Sequence, residues 1–174
     1  MKHKLLCGFI AVGGAIGMGL PPASAAVYNN GTRTATFNVT LTLQANCTIA
    51  ANPLNFGTSG VLSTAINQQS TLSVTCTNTT PYNVGLDAGT VTGSTVSNRL
   101  MAGTATGNTG TTVAFELYLD TGRTTLWGNT QGTNTYAGTG DGTAQSIPVY
   151  GQVPVQSTPT PDTYQTTVTA TVYF

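Results

Sequence analysis

The chain has 174 residues, five basic and five acidic side chains, and a formal net charge of zero. Beyond residue 25 it has no histidine, no lysine and only two cysteines, so the groups that ordinarily carry acid–base or nucleophilic catalysis are nearly missing. Three arginines, Arg33, Arg99 and Arg123, cannot build the basic footprint of a nucleic-acid binder, and a membrane-surface role fails on the same ground.

Met1-Lys2-His3-Lys4 is a short positive start, followed by an apolar, glycine-containing run from Leu5 to Leu20. Pro21-Pro22 break it, and Ala23-Ser24-Ala25 has the small-x-small pattern that a signal peptidase reads. The sequence therefore predicts a signal peptide over residues 1–25 and an exported product. No later stretch reaches the ~20 apolar residues that a membrane-crossing helix needs. The remaining part, about 150 residues, is the size of one domain. In an oxidising compartment its two cysteines, Cys47 and Cys76, are expected to form one disulfide. Closing a loop of about 30 residues stabilises by roughly 3–4 kcal/mol on the chain-entropy account.

Threonine, glycine, asparagine, serine and valine dominate this part. Thr and Val suit a pleated, half-buried surface, and Gly and Asn supply turns. Residues 26–34 form a polar lead with Asn29-Asn30-Gly31 as a turn or flexible tip. Ala35 to Ala45 then alternates apolar and polar residues without a miss, which reads as a strand with one buried face. Its apolar row, Phe37, Val39, Leu41 and Leu43, suits a place in its own sandwich and a groove in another sheet equally well.

Further alternating runs follow at Asn52 to Gly57, Thr71 to Cys76 and Tyr82 to Leu86. Asn98 to Met101 is short and amphipathic, Gly103 to Gly110 is a loop, and Val113 to Leu119 is a strand. Gly128 to Thr143 reads as a long turn-rich stretch. Gln145 to Val153 is a strand in which Pro148 argues for an edge or a bulge. Tyr164 to Phe174 closes the chain as one alternating run. Many short strands with turn signals between them, and no amphipathic helix of useful length, predict an all-β sandwich.

Several stretches imitate chemical sites. Gly138-Thr139-Gly140-Asp141-Gly142 leads into a strand rather than a helix and has one carboxylate, so a turn explains it better than a phosphate or calcium loop. Glu116 and Asp120, four apart on a strand, lie about 13 Å apart, too far for either glycosidase geometry, and are expected on the solvent face. Trp127 with Tyr118, Tyr136 and Tyr150 fits core or rim aromatics better than a sugar platform. The sequons at Asn38, Asn46 and Asn78 are what a chain rich in Asn and Thr produces by chance. No catalytic, cofactor-binding or metal-ligating set emerges, and the chain is not expected to be an enzyme.

The whole exported part resembles the spore coat protein U domain family, which includes subunits of archaic chaperone–usher (Csu-type) pili. The resemblance is carried by Phe37 to Leu43 running up to Cys47-Thr48, Leu54-Asn55-Phe56-Gly57, and Leu72 to Cys76 followed by Pro81-Tyr82. It continues through Arg99-Leu100-Met101, Leu117-Tyr118-Leu119-Asp120, Arg123 to Gly128, Val149-Tyr150-Gly151 and the terminal Tyr164 to Phe174. The resemblance implies an incomplete immunoglobulin-like β-sandwich completed by donor-strand complementation, with Cys47–Cys76 as its disulfide. It implies a donor segment at residues 26–46, with Phe37, Val39, Leu41 and Leu43 as donor residues, and a pilin-type domain at 47–174. Val168, Ala170, Val172 and Phe174 would lie on the C-terminal strand that flanks the groove and faces the chaperone. The implied partners are a periplasmic chaperone, an outer-membrane usher and identical or homologous subunits, with no cofactor. The implied product is an extracellular fibre on the cell surface supporting adhesion and biofilm formation. A non-polymerising spore or cell-surface coat protein is the alternative within the same family.

Overall fold

A computed structural model describes residues 30–174. The expected signal peptide, with Cys7, lies outside the described residues. Residues 30–40 have no helix or strand, and Phe37 and Val39 are 86% and 84% exposed. Every strand belongs to the compact unit that runs from Leu41 to Phe174. Leu41 and Leu43 at its start are also outside any ladder and more than four-fifths exposed. The alternating run from Ala35 to Ala45 therefore buries neither face.

Among the described residues the fold is all-β, an immunoglobulin-like sandwich left open on one flank. Its strands are β1 (Cys47–Ala51), β2 (Ile66–Cys76), β3 (Pro81–Leu86), β4 (Arg99–Gly103), β5 (Thr112–Tyr118), β6 (Tyr136–Thr139), β7 (Ala144–Val153), β8 (Tyr164–Gln165) and β9 (Ala170–Tyr173). One sheet has the order β1-β2-β7-β5-β4-β8, the other β6-β3-β9, and the pairings are antiparallel.

The period-two pattern explains the best-formed strands. Leu72, Val74 and Cys76 of β2 are buried, as are Val113, Phe115 and Leu117 of β5 and Ile147, Val149, Gly151 and Val153 of β7, while the alternate residues are partly or fully exposed. Tyr82, Val84 and Leu86 of β3 face them from the second sheet. Cys47 and Cys76 stand directly opposite each other in the β1–β2 register and are joined, with Cα atoms 4.1 Å apart.

Four further expectations are corrected. Pro148 is in an interior strand, because β7 is bonded to β2 along its whole length. It is tolerated there because the β5 pairing begins only at Tyr150, so the side of β7 that a missing N–H would spoil is locally unpaired at Pro148. The turn-rich stretch contains β6, whose Tyr136-Ala137-Gly138-Thr139 pairs with β3. Asn52 to Gly57 forms no ladder, although Leu54 and Phe56 do turn toward the core. The terminal run is two strands in different sheets, β8 on β4 and β9 on β3.

Candidate functional site: an open apolar groove

The closed end of the sandwich is organised by Trp127 and Arg99, both with no exposed surface. Trp127 donates its indole N–H to the carbonyl of Val84 at 2.8 Å and packs against Tyr136 with ring centroids 6.1 Å apart. Arg99 donates to the carbonyls of Asp87 (Nε, 2.9 Å), Val96 (Nη1, 2.9 Å), Leu86 (Nη2, 3.0 Å) and Trp127 (Nη2, 2.6 Å). Its guanidinium also faces Glu116 at 3.6 Å. Glu116 thus departs from the expected solvent position: its side chain is 14% exposed, and Oε2 has no hydrogen-bond partner among the described residues. Burial pushes its carboxyl up to about 7, partly opposed by the Arg99 charge. Burial likewise lowers Arg99 from its ordinary value.

The other expected surface groups make local turns. Asp120 accepts the N–H groups of Thr124 and Thr125 at 3.1 and 2.7 Å, and these bonds hold its carboxyl below the ordinary carboxylate value. Asp141 accepts the Thr143 N–H at 2.8 Å, so residues 140–143 form a turn, as expected, while Gly138 and Thr139 before them are the end of strand β6. Trp127 is a core aromatic, as expected, while Tyr118, Tyr136 and Tyr150 are half-buried.

Another flank is unfinished. Two apolar cavities of about 510 and 540 Å³ share Leu54, Phe56, Met101 and Tyr164 in their walls and so form one trough. One wall is the irregular segment after β1. Asn52 anchors it to β2 through its N–H on the Thr71 carbonyl (3.0 Å), and Ser70 Oγ donates to the carbonyls of Asn52 and Pro53. Pro53, with no N–H, and Gly57, at φ 79° with its N–H bonded to Asn55 Oδ1 (2.8 Å), keep this wall out of a ladder. The wall leans close over β7: a Cβ added at Gly151 would come within 3.0 Å of the Phe56 ring.

The second wall runs along residues 158–170. At the far end, Leu62 N–H donates to Thr158 Oγ1 (2.9 Å) and Gln156 N–H to the Leu62 carbonyl (3.2 Å). Gln156 also imitates a strand toward β5, exchanging two 2.9 Å hydrogen bonds with the backbone of Ala114. The floor includes Leu72, Phe115, Leu117 and Val149. Leu54, Phe56, Met101, Tyr164, Val168 and Ala170 touch the core but remain only half-buried among the described residues.

Val168 and Ala170 therefore line the trough. Val172 packs against the core beyond it, and Phe174 lies past the end of β9, 59% exposed. β1 and β8 are the edges of the larger sheet and β9 is an edge of the smaller one. Each thus has a side that bonds to no other strand among the described residues. Asp162 is the sole ionisable carboxylate in the walls, and Asn108 Nδ2 (2.6 Å) and Ala105 N–H (3.0 Å) already occupy it, which keeps it below its ordinary value. Apolar walls with unpaired strand edges suit an extended peptide, whose main chain would bond the edges and whose alternate side chains would fill the trough. Asp87 and Gln156, which shape this flank, carry no local sequence signal; each reaches a backbone group far along the chain, Thr169 and Ala114 respectively.

The chain matches the family model of the Spore Coat Protein U domain over residues 33–171. No curated protein matches it. Among solved structures it is similar to the CsuC–CsuE chaperone–tip adhesion subunit pre-assembly complex from archaic chaperone–usher Csu pili of Acinetobacter baumannii. That likeness has a TM-score of 0.52 at 24% identity, covers 76% of this chain and 40% of that chain, and is one of fold. With the family model spanning nearly all the described residues, the chain belongs to the Spore Coat Protein U domain family.

Proposed function

We propose that the protein is a structural subunit of a surface pilus, assembled by the chaperone–usher route through donor-strand exchange. The observation that carries this reading is the open apolar trough in a chain that also displays an unburied alternating row, Phe37, Val39, Leu41 and Leu43. Leaving four large apolar side chains in water is unfavourable by the ~1.5–3 kcal/mol that each gains on full burial. Laying the row into the trough of a second copy removes both exposed surfaces at once. A periplasmic chaperone supplies a strand until the neighbouring subunit does, an outer-membrane usher exports the product, and the fibre supports adhesion and biofilm formation. The role is structural rather than catalytic. Residues 26–46 act as the donor segment, and Val168 and Ala170 belong to the receiving wall, with Val172 and Phe174 continuing that strand toward the chaperone.

The test is co-expression with a cognate chaperone, comparing the full chain with one lacking residues 26–44. Periplasmic fractions run unheated in SDS are expected to show a ladder of multimers for the full chain and none for the deletion. Stable monomers in both would overturn the pilus reading and favour a non-polymerising coat protein.

A further inference from the structure

The β3–β9 ladder stops at Leu86–Ala170, and residues 166–169 cross from one sheet to the other without pairing to a strand. At the next step past Leu86, Asp87 N–H donates to the Thr169 carbonyl at 3.1 Å, as an antiparallel pair would. The return bond is different. The Asp87 carbonyl accepts from Arg99 Nε (2.9 Å), and the Thr169 N–H is bonded at 2.9 Å to Asp87 Oδ1. A side-chain oxygen takes the place of a main-chain one that the buried arginine has withdrawn. The same Oδ1 accepts Gly89 N–H at 2.9 Å, fixing the turn. From that turn, Thr90 N–H donates to Thr166 Oγ1 (3.2 Å) and Thr167 N–H to Thr90 Oγ1 (3.4 Å).

Thr166, Thr167 and Val168 are in the wall of the trough. A strand laid there must bond the free edges of both β8 and β9, so the crossing between them has to stay in line. We infer that Asp87 is a positioning residue for strand capture: its carboxylate holds Thr169 so that the free edge of residues 164–173 runs unbroken across the junction of the two sheets. This rests on reading the trough as the seat of an incoming strand.

The test uses the full chain with Leu41→Asp, which disables its own apolar row, and a labelled synthetic peptide of residues 35–45 as the probe. Asp87→Asn keeps an oxygen acceptor and is expected to release the peptide within about twofold of the parent rate. Asp87→Ala removes it, and release is expected to quicken about tenfold, the upper scale of one net hydrogen bond. Amide exchange at Thr169 is expected to be slow in the parent and in Asp87→Asn, and fast in Asp87→Ala. Asp120→Ala, which removes a cap outside the trough, lowers the melting temperature and leaves peptide release unchanged. Should Asp87→Ala not accumulate, Asp87→Gln replaces it, because its acceptor sits one methylene too far out. Unaltered release from the Ala or Gln variant overturns the inference while leaving the trough as the seat. So does release that tracks melting temperature equally for Asp87 and Asp120 variants. No binding to the parent overturns the seat itself, and the inference with it.

Discussion

The two flanks of this sandwich solve the same packing problem to different degrees. Around Trp127 and Arg99, side chains are sealed from water and the buried guanidinium is met by carbonyls from several segments. Around Leu54, Met101 and Val168, apolar groups of the same kind stop at half burial. Hydrophobic content is therefore not what separates the flanks; strand coverage is. The sealed flank can hold the fold while the open one is left uncovered, and stability and incompleteness are thus assigned to different residues of one small domain.

The strongest way to break that contrast is Trp127→Ala. It removes a fully buried ring and leaves the Val84 carbonyl without its indole donor, so unfolding free energy is expected to fall by about 3–5 kcal/mol in urea titration. A loss below about 1 kcal/mol would mean that the sealed flank is not what holds the chain together.

A smaller effect should come from pH. Glu116 is raised from its ordinary 4.5 to about 7, so the folded chain binds a proton that the unfolded chain has released across that window. Its contribution is complete below 4.5 and is lost as pH rises through 7. The melting temperature is therefore expected to decline over this interval, and Glu116→Gln, neutral throughout, should flatten the decline.

The smallest effect belongs to the open flank. Val168→Ala shortens a half-buried side chain and should cost the isolated chain under about 1 kcal/mol, yet weaken the multimer ladder. A cost equal to that of a sealed core valine would erase the distinction between the flanks.

Much of this architecture is legible in the chain. The buried rows of β2, β3, β5 and β7 follow from alternation alone, and the disulfide follows from there being two cysteines after residue 25, in a part expected to be exported. β6 was hidden because Tyr136-Ala137-Gly138-Thr139 is written in turn residues; its place comes from pairing with β3, a long-range contact. The break in the terminal run was hidden for a different reason. Side chains from Tyr164 to Ala170 keep alternating between half-buried and exposed across the crossing, since period two records which way a side chain points and not which sheet bonds its backbone. Glu116 was misplaced because its setting depends on Arg99 of the neighbouring strand and not on its own alternation. The trough itself is the absence of a strand, and residues 51–62 and 158–170 only become two facing walls once the topology is known.

The sheet-crossing path of residues 164–173 also has a mechanical consequence. With one end bonded to β4 and the other to β3, this segment is a tie between the two layers of the sandwich. Tension drawn along it would load ladder bonds of both layers in shear, rather than those of one layer alone.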